Sequence, residues 1–587
     1  MLKKKRLLSL LLSVVMILLI AGCSNASTSK SGNAEAKFKA GSYTSETKGH
    51  NGIIKLSVTV DENSIKEVKI LEHSETKGVS DPAIYNIPLK IVDRQTLAVD
   101  TYAGCTVSSN AILTAAEEAL KQAGADIAAL KIKKEENTES QKVTKKTDVV
   151  VVGAGIAGLS AAIEAANGGA KVILLEKMPA TGGSTIRSGA KILAAESSIQ
   201  KAAGVQDTAE DFAKFLIDIG EGKVNEDFVN LIAENSGPNI EWLIKNGVRF
   251  EPGVEPLHSY RSPSRGHMVA EHSGANLIKP LEAKAKELGV ELLLETPAMS
   301  LISQDGKVTG VNAKNFAGDE ITINSKAVIL ATGGFDRNPE LIAKYYPSAG
   351  SFSTGVGQGN TGDGLIMAES MGAEIINNDA GILLVMNSDT GLGYGEAADG
   401  LFVTPQGKRF MDEKDFHFTR TRILYDLGIN HFYYIIDETD YNEAVGGAVE
   451  AGTAFEADTV EELAKKIGAD VSTLKATLSR YNELAKKGKD EDFNKPAEFL
   501  TPIEKGKFYA IKMMGVLSGT MSGVKIDING HVINTKNEVI PGLFAAGEVA
   551  NGQIFYREYP GSGASIIANL TFGRQAGASA SKEALNK

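Results

Sequence analysis

Apolar and polar positions alternate along GIIKLSVTVDENSIKEVKILEH, residues 52–73. That period of two predicts two β-strands, with a turn at Asp61, Glu62 and Asn63. Farther on, AILTAAEEALKQAG, residues 111–124, carries small and aliphatic residues on one face and predicts a helix. The pattern then stops. KIKKEENTESQKVTKKT, residues 131–147, is charged, aperiodic and almost free of apolar side chains, which predicts an interdomain linker. Directly after it, DVVVVGAGIAGLSAAIEAANGGAKVILLEK, residues 148–177, reads as strand, glycine turn, helix and strand. Later segments repeat only its first half: AVILATGGFDRNPELI (327–342) and GLFAAGEVANG (542–552) each place a strand before a turn of small residues. Between them TVEELAKKIGADVSTLKATLSRYNELAKKG, residues 459–488, has helical periodicity, and no fixed-period repeat runs through the chain. The fold class is α/β: a small α+β domain, then a Rossmann-like domain with an inserted α+β domain.

At 587 residues the chain is long enough for two or three domains. Its net charge of −11 argues against nucleic acid and against a polybasic membrane surface. The N-terminus is distinct. Basic residues precede an apolar run over residues 7–20, short for a spanning helix, and a small-residue cleavage zone follows. LIAGC, residues 19–23, resembles a bacterial lipobox. That resemblance implies removal of the leader, lipidation of Cys23 and anchoring on the extracytoplasmic face of the cell membrane. Residues 24–37 read as a flexible tether. Of the two cysteines, Cys105 is then left without a disulfide partner. The chain has no CxxCH, no CxxC and no HExxH, so neither c-type haem nor a metal site is expected.

The unit at 148–177 has the spacing of a dinucleotide site. Gly153 permits the tight turn, Gly155 lets backbone approach a pyrophosphate beside Ala157, and Gly158 lets helix meet strand. Glu176, at the end of the second strand, is placed to accept from ribose hydroxyls. TGGSTIRSGA, residues 181–190, adds backbone NH groups and hydroxyls at Ser184, Thr185, Gly189 and Ala190. No second strand–GxGxxG–helix unit is present for NAD(P)H, which suggests another route for electrons.

GAGIAGLSAA, EKMPATGGST, ATGGFDRNPE, GNTGDGLIMAE and IPGLFAAGEV together resemble the flavoprotein of the fumarate reductase and urocanate reductase family, from about residue 147 to the end. The resemblance implies non-covalent FAD, held also by Asp363, Glu548, Ala564, Ser565 and Ile566. Residues 38–130 resemble the FMN-binding domain that often precedes it, in which a flavin transferase esterifies FMN to the threonine of D-x-x-S/T-G-A-T. Here that stretch reads DTYAGCT, residues 100–106. Thr106 is the acceptor it implies, and Cys105 is a small packed residue rather than a nucleophile. FMN would relay electrons to FAD from a membrane or extracellular donor.

The resemblance further implies a FAD-binding domain at 148–378 and 518–587, a substrate clamp at 379–517, and hydride transfer to an activated C=C while a side chain protonates the other carbon. The carboxylate ligands of fumarate-type sites are missing: Gly519 stands for a histidine, and GLGYGEAADG lacks an arginine. Arg557, Arg261 or Arg265 remain as candidates for one carboxylate. YPGSGAS is similar to a segment of 3-ketosteroid dehydrogenases, which implies that Tyr559 and the Gly563 backbone NH hold a carbonyl oxygen. After RFMDE the proton donor falls on His417 or Arg420, near Asp415 or Glu413. The expected activity is reduction of an unsaturated carboxylate or an enone. Open alternatives are an electron-transfer lipoprotein and a dehydrogenase working in reverse.

Overall fold

The computed structural model describes residues 37–76, 79–102, 104–132, 140–256, 263–349, 352–354, 356–393 and 400–586. The lipobox with Cys23, the tether to residue 36, and Arg261 lie outside them.

The N-terminal domain is a three-stranded antiparallel sheet, β1 (Gly41–Lys48), β2 (Ile53–Val60) and β3 (Ile65–Glu72), in that order. The alternation works as it should on the middle strand: Ile54, Leu56, Val58 and Val60 point inward and are buried. Two helices cover that face, α1 (Asp81–Arg94) and α2 (Thr106–Gln122). The sequence pattern predicted neither β1 nor α1, and it started α2 five residues late. Ser108 and Ser109 look like turn residues, but both are buried with bonded hydroxyls. Ser109 Oγ donates to the Cys105 carbonyl at 2.9 Å, and Ser108 bonds Glu75. Such partners let polar residues begin a helix. Cys105 is packed in this core, and burial pushes its thiol up, away from thiolate chemistry.

The predicted linker is only partly one. Lys142–Lys146 form a strand, β4, paired in parallel with Glu320–Asn324 at the edge of a four-stranded sheet. KVTKK alternates after all: Lys142, Thr144 and Lys146 are exposed while Val143 and Lys145 are half-buried. A charged edge strand is a common solution to the problem of an open sheet edge.

Next come β5 (Val149–Val152), α3 (Ile156–Asn167) and β6 (Val172–Leu175), a strand–helix–strand unit that begins a six-stranded sheet. Its order is Glu291–Leu293, β6, β5, β7 (Ala327–Leu330), β9 (Val539–Ala545) and His531–Ile533; β8, described below, belongs elsewhere. The first five strands run parallel, and the three central ones, β6, β5 and β7, are buried along their whole length, as expected when both faces are covered. Their C-terminal ends therefore carry their turns on one edge, the usual place for a ligand.

The clamp has its own sheet around the long strand β8 (Phe508–Thr520). His431–Asp437, Gly381–Met386 and Ala454–Ala457 pair with it, and Leu401–Val403 adds to His431–Asp437. Helix α4 (Thr419–Leu427) and Val460–Ile467 and Val471–Lys487 complete it. The expected limits of 379 and 517 need correction on both sides: Ser353–Thr354 also pairs with β8, and β8 runs on to Thr520. A strand has no reason to stop at a domain boundary when its two ends serve two cores. The C-terminal helix α5 (Ala564–Ala584) returns to lie on α3, where Gly573 and Gly577 leave no room for a side chain against the Ala157 and Ala161 backbone.

Candidate active site

β5 ends in the glycine turn, and α3 starts from Gly155. Gly153 sits at φ +101, and a Cβ there would overlap the Ala331 carbonyl. A Cβ on Gly158 would overlap the Gly153 carbonyl oxygen. Gly155 is different: its nearest neighbour to such an atom is the Gly182 oxygen at 3.9 Å, so its side faces open space. Two glycines close the turn and the third leaves a cradle at a helix N-terminus, where backbone NH groups favour an anion. The groove in front of it is lined by Gly153, Gly155, Ala157, Glu176, Ser184, Thr185, Asp363 and Glu548, among others. Gly158 lies behind the turn. Glu176 is buried at the far end, accepting from Ala154 N and Met178 N, both at 2.8 Å. Burial pushes its carboxyl up, against those two bonds. Asp363 is paired with Lys177 Nζ at 2.6 Å.

A second cavity, of about 490 Å³, adjoins this groove; Ser184, Thr185, Glu548 and Asn569 line both. Gly189, Ala190, Tyr559, Gly563, Ser565 and Ile566 line the cavity, while Ala564 is buried at the start of α5. The Tyr559 hydroxyl accepts from Ser565 N at 2.8 Å. Gly563 adopts φ +101, and a side chain there would press on the Lys191 carbonyl. Tyr559 and Gly563 are thus brought to one wall. The cavity also has charged groups that sequence reasoning did not assign: Arg187, Lys191, Glu255 and His272. Lys191 Nζ pairs with Glu255 at 2.7 Å. Arg187 lies inside the quoted TGGSTIRSGA, a lone cation among hydroxyls and glycines, and that was its only signal. Glu271 and His272 hold positive φ, +62 and +49, a strained pair at the cavity edge.

His417 and Arg420 are not among the described residues lining the cavity. They contact each other, Arg420 Nη1 to His417 Nδ1 at 3.0 Å, and Arg420 also donates to the Gly393 carbonyl at 2.8 Å. Arg420 is fully buried over the Phe402 ring, and burial pushes its guanidinium down to about 10. Phe418 separates the pair from the cavity, edge-on to His417 and to Tyr559 with centroids 4.9 Å away in both cases. Glu413 acts on Arg420 through its charge, while its own bonds go to other cations. Arg409 grips it through Nε and Nη2 at 2.9 Å each, and Lys495 Nζ lies 3.3 Å away. Thr419 and Arg422 of α4 both bind Glu558, next to Tyr559, at 3.0 and 2.9 Å.

Neither described arginine offered for a substrate carboxylate lines the cavity. Arg265 is buried between Phe212 and Phe215 and makes a two-pronged pair with Asp207, each bond 2.7 Å. It is neither a ligand nor part of a solvated loop. Arg557 turns outward toward Asp426, 3.9 Å away.

Residues 148–566 match the FAD binding domain family, and residues 49–121 match the FMN-binding domain family. The chain is 33% identical to the urocanate reductase of Eggerthella lenta, over 96% of each chain. The chain belongs to the FAD-binding flavoproteins of the fumarate and urocanate reductase family. It is also 32% identical to the NADH:acrylate oxidoreductase of Vibrio harveyi, matching 94% of this chain but 62% of that protein, which is longer. Among solved structures, the 3-ketosteroid-Δ4-(5α)-dehydrogenase of Rhodococcus jostii RHA1, in complex with 4-androstene-3,17-dione, aligns with a TM-score of 0.65 at 28% identity, covering 76% of this chain and 98% of that one.

In this flavoprotein the groove at Gly155 fits FAD: the cradle would hold the pyrophosphate, and Glu176 would meet the ribose hydroxyls. The FMN-binding domain docks beside it. Asp81 pairs with Lys279 at 2.6 Å, and Lys90 approaches Glu295 at 3.5 Å. Thr106 is exposed at the first turn of α2. Two residues earlier, Gly104 faces Arg187 and Gln358: a Cβ on it would lie 3.6 Å from Arg187 Nη1. A small cavity there is walled by Val79, Pro82 and Gly104 on one side and by Thr181, Gly183, Arg187 and Gly359 on the other. Gly183 and Gly359 also line the FAD groove, so one layer of residues separates the two.

Proposed function

We propose that this flavoprotein reduces a C=C bond conjugated to a carbonyl, on the extracytoplasmic face of the membrane to which a lipid on Cys23 ties it. The observation that carries the reading is the cavity next to the FAD groove, with Tyr559 and Gly563 on its wall. A dicarboxylate needs paired, desolvated cations. Lys191 is already paired with Glu255, and Arg265 and Arg557 are engaged elsewhere. Among the described residues that leaves Arg187 as the unassigned arginine of the cavity, enough for one carboxylate. A neutral enone or an aryl-acrylate monoanion suits this wall better than fumarate.

Bound FAD supplies hydride chemistry, and FMN esterified to Thr106 by a flavin transferase supplies electron entry. The chain's own residues do the positioning. The Tyr559 hydroxyl and the Gly563 NH hold the substrate's carbonyl oxygen where negative charge grows during reduction. The contact of Gly104 with Arg187 supports delivery across the domain junction from a membrane or extracellular donor.

The test uses anaerobic holoprotein with its flavins reduced beforehand. Reoxidation is followed spectroscopically against fumarate, urocanate, cinnamate and neutral cyclic enones. The expected result is reoxidation by enones or cinnamate and none by fumarate. Rapid reoxidation by fumarate would overturn the carbonyl-clamp reading. Silence across the whole panel would favour the electron-transfer lipoprotein.

A further inference from the structure

β7 and β9 are parallel neighbours, so the turns that follow them lie side by side. The first turn carries Asp336 and the second Glu548. Both side chains are buried, at 4% and 8% exposure. One amide serves both: Asn360 Nδ2 donates to Asp336 Oδ2 at 2.9 Å and approaches Glu548 Oε2 at 3.4 Å. Glu548 Oε1 accepts from Thr520 N at 2.9 Å. Asp336 Oδ1 is buried with no hydrogen bond of its own. Arg337 is the charged neighbour facing Asp336, yet its Nη2 is spent on the carbonyls of Thr354 and Val356. Two carboxylates that share one amide, out of water and with no cation hydrogen-bonded to either among the described residues, are disfavoured from both being charged. Glu548 lines both the FAD groove and the adjoining cavity, so whatever the pair holds is presented where the flavin meets the substrate.

We propose that Asp336 and Glu548 hold one proton between them at neutral pH, and that this shared proton is a working part of the FAD site. The inference rests on the groove being that site. Burial pushes Asp336 up to about 6. Burial, and then the Asp336 charge, push Glu548 well above the usual carboxylate range. With one proton the pair puts a single negative charge on the groove wall. When that proton leaves, a second charge appears beside a ligand that is itself a pyrophosphate. FAD binding is therefore linked to the proton. It holds below the pair's upper titration and weakens above it, by at most about tenfold per pH unit for one proton. The other charged groups along the groove are Glu176, Lys177 and Asp363, the last two bonded to each other. Those along the cavity are Arg187, His272 and the Lys191–Glu255 pair.

The experiment measures FAD retained by the full-length holoenzyme after ultrafiltration, from about pH 6 to about pH 10, and the protonated-carboxyl stretch by infrared difference spectroscopy at neutral pH. Wild type is compared with Asp336→Asn, Glu548→Gln and His272→Asn. Expected are a carboxyl band and a pH-dependent loss of FAD in wild type and in His272→Asn. In Asp336→Asn the band changes and the break in FAD retention moves to lower pH, because Glu548 loses the neighbouring charge that raises it and keeps only its burial. Flat retention in wild type, an unchanged break in Asp336→Asn, or no carboxyl band in wild type would each overturn the proposal. If Asp336→Asn does not fold, Glu548→Gln and the wild-type spectrum decide. A chain that binds no FAD at any pH would sink the flavin reading and with it the proton's role, while the band would still show whether the carboxyls share a proton.

Discussion

Tyr559 puts one oxygen atom at the wall of the cavity, fixed by the NH of Ser565 and by the edges of Phe418 and Phe555. Removing that oxygen alone should leave the packing intact. Tyr559→Phe is expected to keep its FAD and its melting temperature while kcat falls about 10²–10³-fold, the usual cost of losing one donor to a developing oxyanion. Steady-state kinetics beside a flavin count checks it, and an unchanged kcat would move the carbonyl elsewhere in the cavity. Arg265 makes the opposite point. In sequence it sat in a basic loop and offered a charge to a substrate. In the fold Asp207, 58 residues earlier, claims it with two bonds. No local spacing announces a partner at that distance.

Turns and helix ends are where sequence spacing translates most directly into geometry. In the Gly153–Gly158 turn the three glycines have different neighbours, and substitution should separate them. Gly155→Ala fills only the open cradle, so the fold is expected to survive while FAD affinity drops at least about tenfold, from loss of close backbone approach. Gly158→Ala drives a methyl into the Gly153 carbonyl and is expected to lower stability as well. Flavin titration beside thermal melts distinguishes the two. A second element-level device joins the His531 strand to α5: His531 lies between Asp527 and Glu583. The bond to Asp527, with help from Glu583 and against partial burial, raises the imidazole to about 9. Its folded pKa lies above its unfolded one, near 6.5. The stabilisation is therefore complete below pH 6.5 and lost as pH rises through about 9. Melting temperatures of wild type and His531→Gln should differ most below pH 6.5 and converge above about pH 9.

At the scale of the whole molecule, the junction between the two domains is where electrons would pass to the second flavin. The FMN-binding domain is not loosely hung: its Thr106 loop meets the Arg187 turn, and that turn lines the FAD groove. Thr106→Ala should abolish covalent FMN, read as loss of flavin fluorescence on a denaturing gel. The FAD half should still reduce substrate when a small chemical reductant reaches it directly. Turnover with electrons supplied through FMN should fall at least about 100-fold, since no new covalent donor replaces it. Equal turnover by both routes would mean that FMN is not the entrance.

The glycine spacing and the buried-strand runs were legible in the chain because each is local: a turn, a strand or a helix start depends on residues only a few positions apart. β4 was misread for a related reason. Lysines on an edge strand look like a linker until Glu320–Asn324, far along the chain, supplies the hydrogen bonds. The Asp336–Glu548 pair, the capture of Glu413 by Arg409 and Lys495, and the place of His417 and Arg420 behind Phe418 all depend on burial and on partners from distant strands. Charge and protonation are set by what surrounds a group in three dimensions, and a linear pattern records only which groups are available.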